Sequence, residues 1–113
     1  MTEQAHVVRW DDLDFDLVTE MVARKSIVAG DELVQSYLKK GALIPLHTHA
    51  EAQWICVQQG ALSMVVGGAM MLVKEGGVLR VPAGVPHQGE ALDDTLVLDI
   101  RRGGVEFLNQ LAP

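Results

Sequence analysis

An all-β domain, a sandwich or closed barrel of short strands, is the fold class this sequence predicts. Alternating β-branched and apolar stretches recur about every 8 to 12 residues, turn residues separate them, and glycine occurs 11 times in 113 residues to supply those turns. A hydrophobic fraction of 49% against 21% charge is too apolar for a disordered chain. A chain this size buries roughly two-thirds of its unfolded surface, enough for one core without staples. No linker, repeat or low-complexity segment divides it, so residues 1–113 are expected to form a single domain.

The expected elements follow in order. The acidic N-terminal segment around Trp10-Asp11-Asp12-Leu13 reads as a solvated turn. Strands are expected at 19–28, 32–38, 52–59, 61–66, 69–74, 78–81 and 95–101, where β-branched residues alternate with polar ones or form short apolar runs. Gly30-Asp31, Lys40-Gly41, Gly60, Gly76-Gly77, Pro82-Ala83-Gly84 and Asp93-Asp94 mark the turns between them. Two apolar arms around Gly67-Gly68 predict a β-hairpin. Only residues 105–111 suit a short helix, which Pro113 follows.

Charge and cysteine usage remove several function classes. Nine Lys and Arg against 15 Asp and Glu give a net charge of −6 and no clustered basic face, so nucleic acid is not an expected partner. Glu3, Asp11, Asp12, Asp14, Asp16 and Glu20 against Arg9 leave a net of −5 in the first 20 residues, and only −1 in the rest. The acidity is therefore local. The apolar run 60–73, in which Ser63 is the only polar side chain, is too short for a bilayer and has Gly67-Gly68 at its centre, so no membrane span is expected. Cys56 stands alone and no basic segment with an apolar stretch opens the chain, which together predict a cytoplasmic protein without disulfides.

Histidine placement carries the chemistry. His47, His49 and Gln53 share parity and would project from one face of an extended strand, while His87 follows a Pro-Ala-Gly-Val-Pro turn. Two imidazoles two residues apart, a third from another strand and a side-chain oxygen make a metal-binding set. Glu51 has the same parity as Gln53 and is the rival oxygen donor. On the stretch 95–101, Val97, Asp99 and Arg101 share one face and Leu96, Leu98 and Ile100 the other. A barrel-lining Asp99 would serve as general base and Arg101 would clamp a substrate carboxylate; the alternative is an ion pair at a rim. Met64, Met70 and Met71 are read as gap-filling core, Trp54 as lying outside the metal face and covering a dimer interface, and His6 as solvated.

These residues resemble the two motifs of the cupin family, of the small RmlC-like kind. The first motif spans 41–60 and reads Gly41, His47, His49, Gln53 and Gly60, with Gln where the family usually has Glu. The second spans 76–91 and reads Gly76, Pro82, Gly84 and His87, with Ala91 at the usual Asn position. The resemblance implies a double-stranded β-helix, or jelly-roll barrel, with a divalent transition metal at one mouth held by His47, His49, His87 and Gln53. Three imidazoles and an amide suit Zn, Ni, Mn, Fe or Cu. An amide in place of a carboxylate leaves the cation's charge in place, which favours Lewis-acid over redox chemistry.

The chain is more closely similar to the small cupins of pectin and alginate breakdown, the KdgF type, which open the ring of unsaturated uronate monosaccharides. Trp10-Asp11-Asp12-Leu13, Lys40-Gly41-Ala42, Pro45-Leu46-His47-Thr48-His49, Val85-Pro86-His87 and Leu98-Asp99-Ile100 carry that similarity. Those enzymes continue with Asp-Val-Phe-Ser-Pro and an Arg; Asp99 matches the Asp, whereas Arg101 stands at the Phe position, Gly103 at the Pro and Val105 near the Arg. Three functional readings follow. The first is a metal-dependent isomerase or lyase acting on a small anionic substrate, an acidic sugar or keto acid. The second is a non-haem iron dioxygenase, and the third a non-catalytic binding or sensing module. A homodimer is expected from the cupin resemblance and the apolar composition.

Overall fold

Two antiparallel sheets form because nearly every predicted stretch becomes a strand and the turn residues reverse the chain between them. The computed structural model describes residues 4–102; the expected helix at 105–111 lies outside the described residues. The strands are β1 (Asp16–Thr19), β2 (Val22–Ala29), β3 (Asp31–Leu38), β4 (Leu43–His47), β5 (Gln53–Gln59), β6 (Ala61–Val66), β7 (Ala69–Lys74), β8 (Val78–Val81), β9 (His87–Ala91) and β10 (Thr95–Arg102), preceded by a 3-10 turn at Trp10–Asp12. Six of them form one sheet in the order β1-β2-β3-β10-β5-β8, and four form the other in the order β4-β9-β6-β7. This is the jelly-roll barrel the sequence predicts.

Alternation along the strands builds the core between the sheets. Leu62, Met64 and Val66 of β6 face Ile55 and Val57 of β5, Val97 of β10 and Val81 of β8, all of them buried. The β6–β7 hairpin closes through Gly67 and Gly68, at φ 56° and 83°, the left-handed pair that a two-residue turn of this kind demands. Of the three methionines read as core, only Met64 is there: Met70 is 77% exposed and Met71 38%, because their strand β7 is the sheet edge and packs inward through Val73. The expected strand at 19–28 is broken by a turn at Glu20-Met21, which separates β1 from β2.

The N-terminal segment is held to the outer face of the large sheet by a buried cation. Lys25, 8% exposed, donates from Nζ to the Trp10 carbonyl at 2.9 Å and lies 4.5 Å over the Phe15 ring. Phe15 in turn meets Tyr37 edge-on at 5.3 Å between centroids. No helix among the described residues is long and apolar enough to cross a membrane.

Candidate metal centre

The two sheets meet at the histidines, which gather where the chain crosses from one to the other. His47 ends β4 in the small sheet, residues 48–52 form a loop, and Gln53 begins β5 in the large sheet. The single extended strand expected through 47, 49 and 53 is therefore not what unites them. A register irregularity between Ile44 and His47 brings His47 opposite His87 of β9, and the loop folds His49 over both. Ring centroids lie 4.2 Å apart for His47–His87, 4.9 Å for His49–His87 and 5.5 Å for His47–His49. One nitrogen from each lies within 4.8 Å of the others.

The backbone sets which nitrogen faces the centre. Nδ1 of His47 donates to the Pro45 carbonyl at 2.6 Å, Nδ1 of His49 to that of Glu51 at 2.8 Å, and Nδ1 of His87 to that of Val85 at 2.9 Å. A carbonyl only accepts, so every Nδ1 carries the proton and every Nε2 presents a lone pair. His87 Nε2 is buried and has no partner. His49 Nε2 faces Gln53 Oε1 at 2.8 Å, two lone pairs that repel unless a cation or a proton lies between them. The donor set therefore fits a metal ion, and His47, His49 and His87 are positioned to bind one.

Gln53 is oriented by Asp99. Its Nε2 donates to Asp99 Oδ1 at 3.0 Å, which turns Oε1 toward His49. Glu51 contributes its backbone carbonyl to His49, while its side chain is not among the cavity-lining groups. Burial pushes the Asp99 carboxyl up to about 6, against the opposing pull of the Gln53 hydrogen bond and of the Arg101, Arg24 and His49 charges. Burial also lowers His87, helped by His47, His49 and Arg101 and countered by its bond to the Val85 carbonyl, which keeps it in the neutral form a ligand requires. Cys56 points from the opposite face of β5 to Gln53, and burial and then Asp99 push its thiol up, which disfavours the thiolate.

Val97, Asp99 and Arg101 share the inner face of β10, as alternation predicts, and line a cavity of about 450 Å³ together with the three histidines and Gln53. Arg101 pairs with Glu32 at 3.1 Å, and its Nε is buried without a partner. Arg24 and Ser36 also line the cavity, although sequence reasoning did not single them out. Their signal was a polar residue on the same parity as Val22, Val34 and Leu38. His6 is exposed and is not among the cavity-lining residues, and Trp54 lies outside, beneath the Arg80 guanidinium at 4.8 Å.

Comparison with known proteins agrees with this fold. The Cupin domain family model matches residues 34–100. KdgF from Halomonas sp. superposes with a TM-score of 0.82 at 22% identity, covering 92% of this chain and 99% of that one. An RmlC-like cupin from Shewanella frigidimarina gives 0.81 at 19% identity, covering 96% and 99%. A predicted oxalate decarboxylase from Thermotoga maritima gives 0.78 at 18% identity, covering 86% and 98%. No curated protein matches in sequence. With two motifs, two sheets and three converging histidines, and a family model spanning more than half its length, the chain belongs to the cupin domain family.

Proposed function

We propose that this cupin is a metal-dependent isomerase or lyase that opens the ring of, or tautomerises, a small acidic sugar or keto acid. The observation that carries the reading is Asp99, a carboxyl that burial pushes up to about 6 and that Gln53 links directly to the histidine cluster. A group titrating near neutrality can both take and return a proton, which isomerisation requires. When bound, the divalent metal supplies Lewis-acid polarisation of a substrate oxygen. Asp99 moves the proton at Oδ1 or Oδ2, Gln53 holds Asp99 against the metal site, and Arg101, paired with Glu32, keeps the carboxyl ionisable. The KdgF-type sequence similarity and the KdgF neighbour of like fold support this substrate class.

The test is anaerobic incubation of the metal-reconstituted protein with unsaturated uronate monosaccharides, followed by proton NMR. Ring opening without oxygen is expected; Asp99→Asn should slow it about 100-fold or more with metal content unchanged. His49→Ala should lose the metal itself. Metal affinity should fall on acidification, because each imidazole must be neutral to bind. A strict oxygen requirement would establish the dioxygenase reading instead. The same proposal places the chain in the cytoplasm as a homodimer, supported by its lone cysteine and by the apolar outer face of the large sheet.

A further inference from the structure

Arg24 and Arg101 are the two guanidinium groups lining the cavity, and the structure treats them differently. Arg101 pairs with Glu32 at 3.1 Å through one terminal nitrogen of its guanidinium. Arg24 has no ion-pair or hydrogen-bond partner among the described residues, although its charge reaches Asp99. Register fixes where it stands. Arg24 pairs with Ser36 and Ser36 with Val97, so Arg24 is two strands away from β10, about 10 Å sideways, at the level of Val97, one inward-facing position along from Asp99, and its side chain is exposed at the cavity's edge. Ser36 is buried beside it and lines the same cavity. The histidine cluster is built largely from the facing sheet, with His47 on β4 and His87 on β9. Sheets packed face to face stand about 10 Å apart, so a ligand between the two walls spans a distance suited to a monosaccharide acid.

We propose that Arg24 is the specificity-determining residue of the cavity, taking the substrate's carboxylate while hydroxyl or carbonyl oxygens at the ligand's other end face the histidines. This rests on the site being the one that binds the small acidic substrate, and it moves the carboxylate clamp from Arg101 to Arg24. The physical reason is competition: an anion binding at Arg101 would share the guanidinium with the Glu32 carboxylate and be repelled by it, whereas Arg24, exposed at the edge of the cavity and unpaired, holds no competing carboxylate. It also explains how a chain with a net charge of −6 admits an anion, since its acidic excess lies in the first 20 residues and two guanidinium groups line the cavity.

The test is calorimetric titration of the zinc-reconstituted full chain with D-glucuronate and with D-glucose, which share a ring and differ in the carboxylate. Wild type should prefer glucuronate by about tenfold or more, and added salt should erode that preference. Arg24→Gln should abolish the preference with zinc content unchanged. Arg24→Lys, which keeps the charge and guards against a folding defect, should retain part of it, and Arg101→Gln most of it. Wild type without a preference, Arg24→Gln with an intact one, or its loss on Arg101→Gln alone would each overturn the assignment. Turnover and binding separate the two proposals. A protein that selects glucuronate through Arg24 but opens no uronate ring sinks only the catalytic reading, and turnover indifferent to Arg24→Gln sinks only this one.

Discussion

Asp99 and His87 titrate in opposite senses, and the sign of each makes a stability prediction. An exposed carboxyl titrates near about 4, whereas Asp99 is pushed up to about 6. Between those values the folded state holds the proton that the unfolded state has released, so stability declines as the pH rises from about 4 to about 6. Above that the full cost of keeping the carboxylate is present. For the metal-free protein, Asp99→Asn should therefore be more stable than wild type by about 1–3 kcal/mol at pH 7.5, with no gain at pH 4, read by urea unfolding. His87 runs the other way: with its folded value lowered, the unfolded chain takes up the proton first and acidification below about 6.5 costs stability. That loss should persist in Asp99→Asn. A variant less stable than wild type at pH 7.5 would mean that the Gln53 hydrogen bond outweighs the burial of the charge. The ligand residues were legible from spacing, yet the reason was only half right. His47, His49 and Gln53 converge through a sheet crossing that parity along one strand does not describe. Arg24 was missed because an exposed arginine on an alternating strand reads as ordinary surface, and only the packing of the two sheets shows that its face borders the cavity.

At the scale of elements, legibility followed side-chain type. The β6–β7 hairpin was evident because two apolar arms flank Gly67-Gly68. Two strands of the small sheet were not. β4 contains Pro45, and β9 reads His-Gln-Gly-Glu-Ala, with no β-branched residue at all. Gly89 is there because Met64 of the neighbouring strand occupies the space above it: a Cβ would stand 2.9 Å from the Ser63 carbonyl and collide with the Met64 sulfur. The N-terminal segment likewise read as a free acidic turn, whereas Lys25 fastens it to the sheet. Lys25→Met should keep the aliphatic packing and lose both the bond to the Trp10 carbonyl and the contact with the Phe15 ring. The expected cost is about 1–2 kcal/mol, a fall in melting temperature of roughly 5 °C, measured by thermal unfolding. An unchanged melting temperature would show that the segment is held by Phe15 and Tyr37 alone.

At the scale of the molecule, the large sheet holds the N-terminal segment on only part of its outer face, at Lys25 and Tyr37. Its outer face carries Leu98 opposite Cys56, Ile100 opposite Trp54 and Leu33, and Val78 opposite Cys56, so these apolar side chains form one continuous patch across four strands. Within it Trp54 is 43% exposed and Val78 58%, in a chain where aromatic residues make up only 4%. Isolated exposed apolar residues are ordinary, but a contiguous patch anchored by a tryptophan has the character of an association surface. The proposed homodimer buries this patch, which lies on the far side of β5 and β10 from the metal centre and leaves the cavity mouth open. Light scattering after size exclusion should give twice the chain mass of 12.3 kDa for wild type. Trp54→Glu should shift the protein to the monomer while retaining its zinc, since Trp54 and Gln53 point to opposite faces of the same strand. A wild-type chain that elutes at 12.3 kDa at micromolar concentration would rule the dimer out, and a Trp54→Glu dimer would move the interface to another surface.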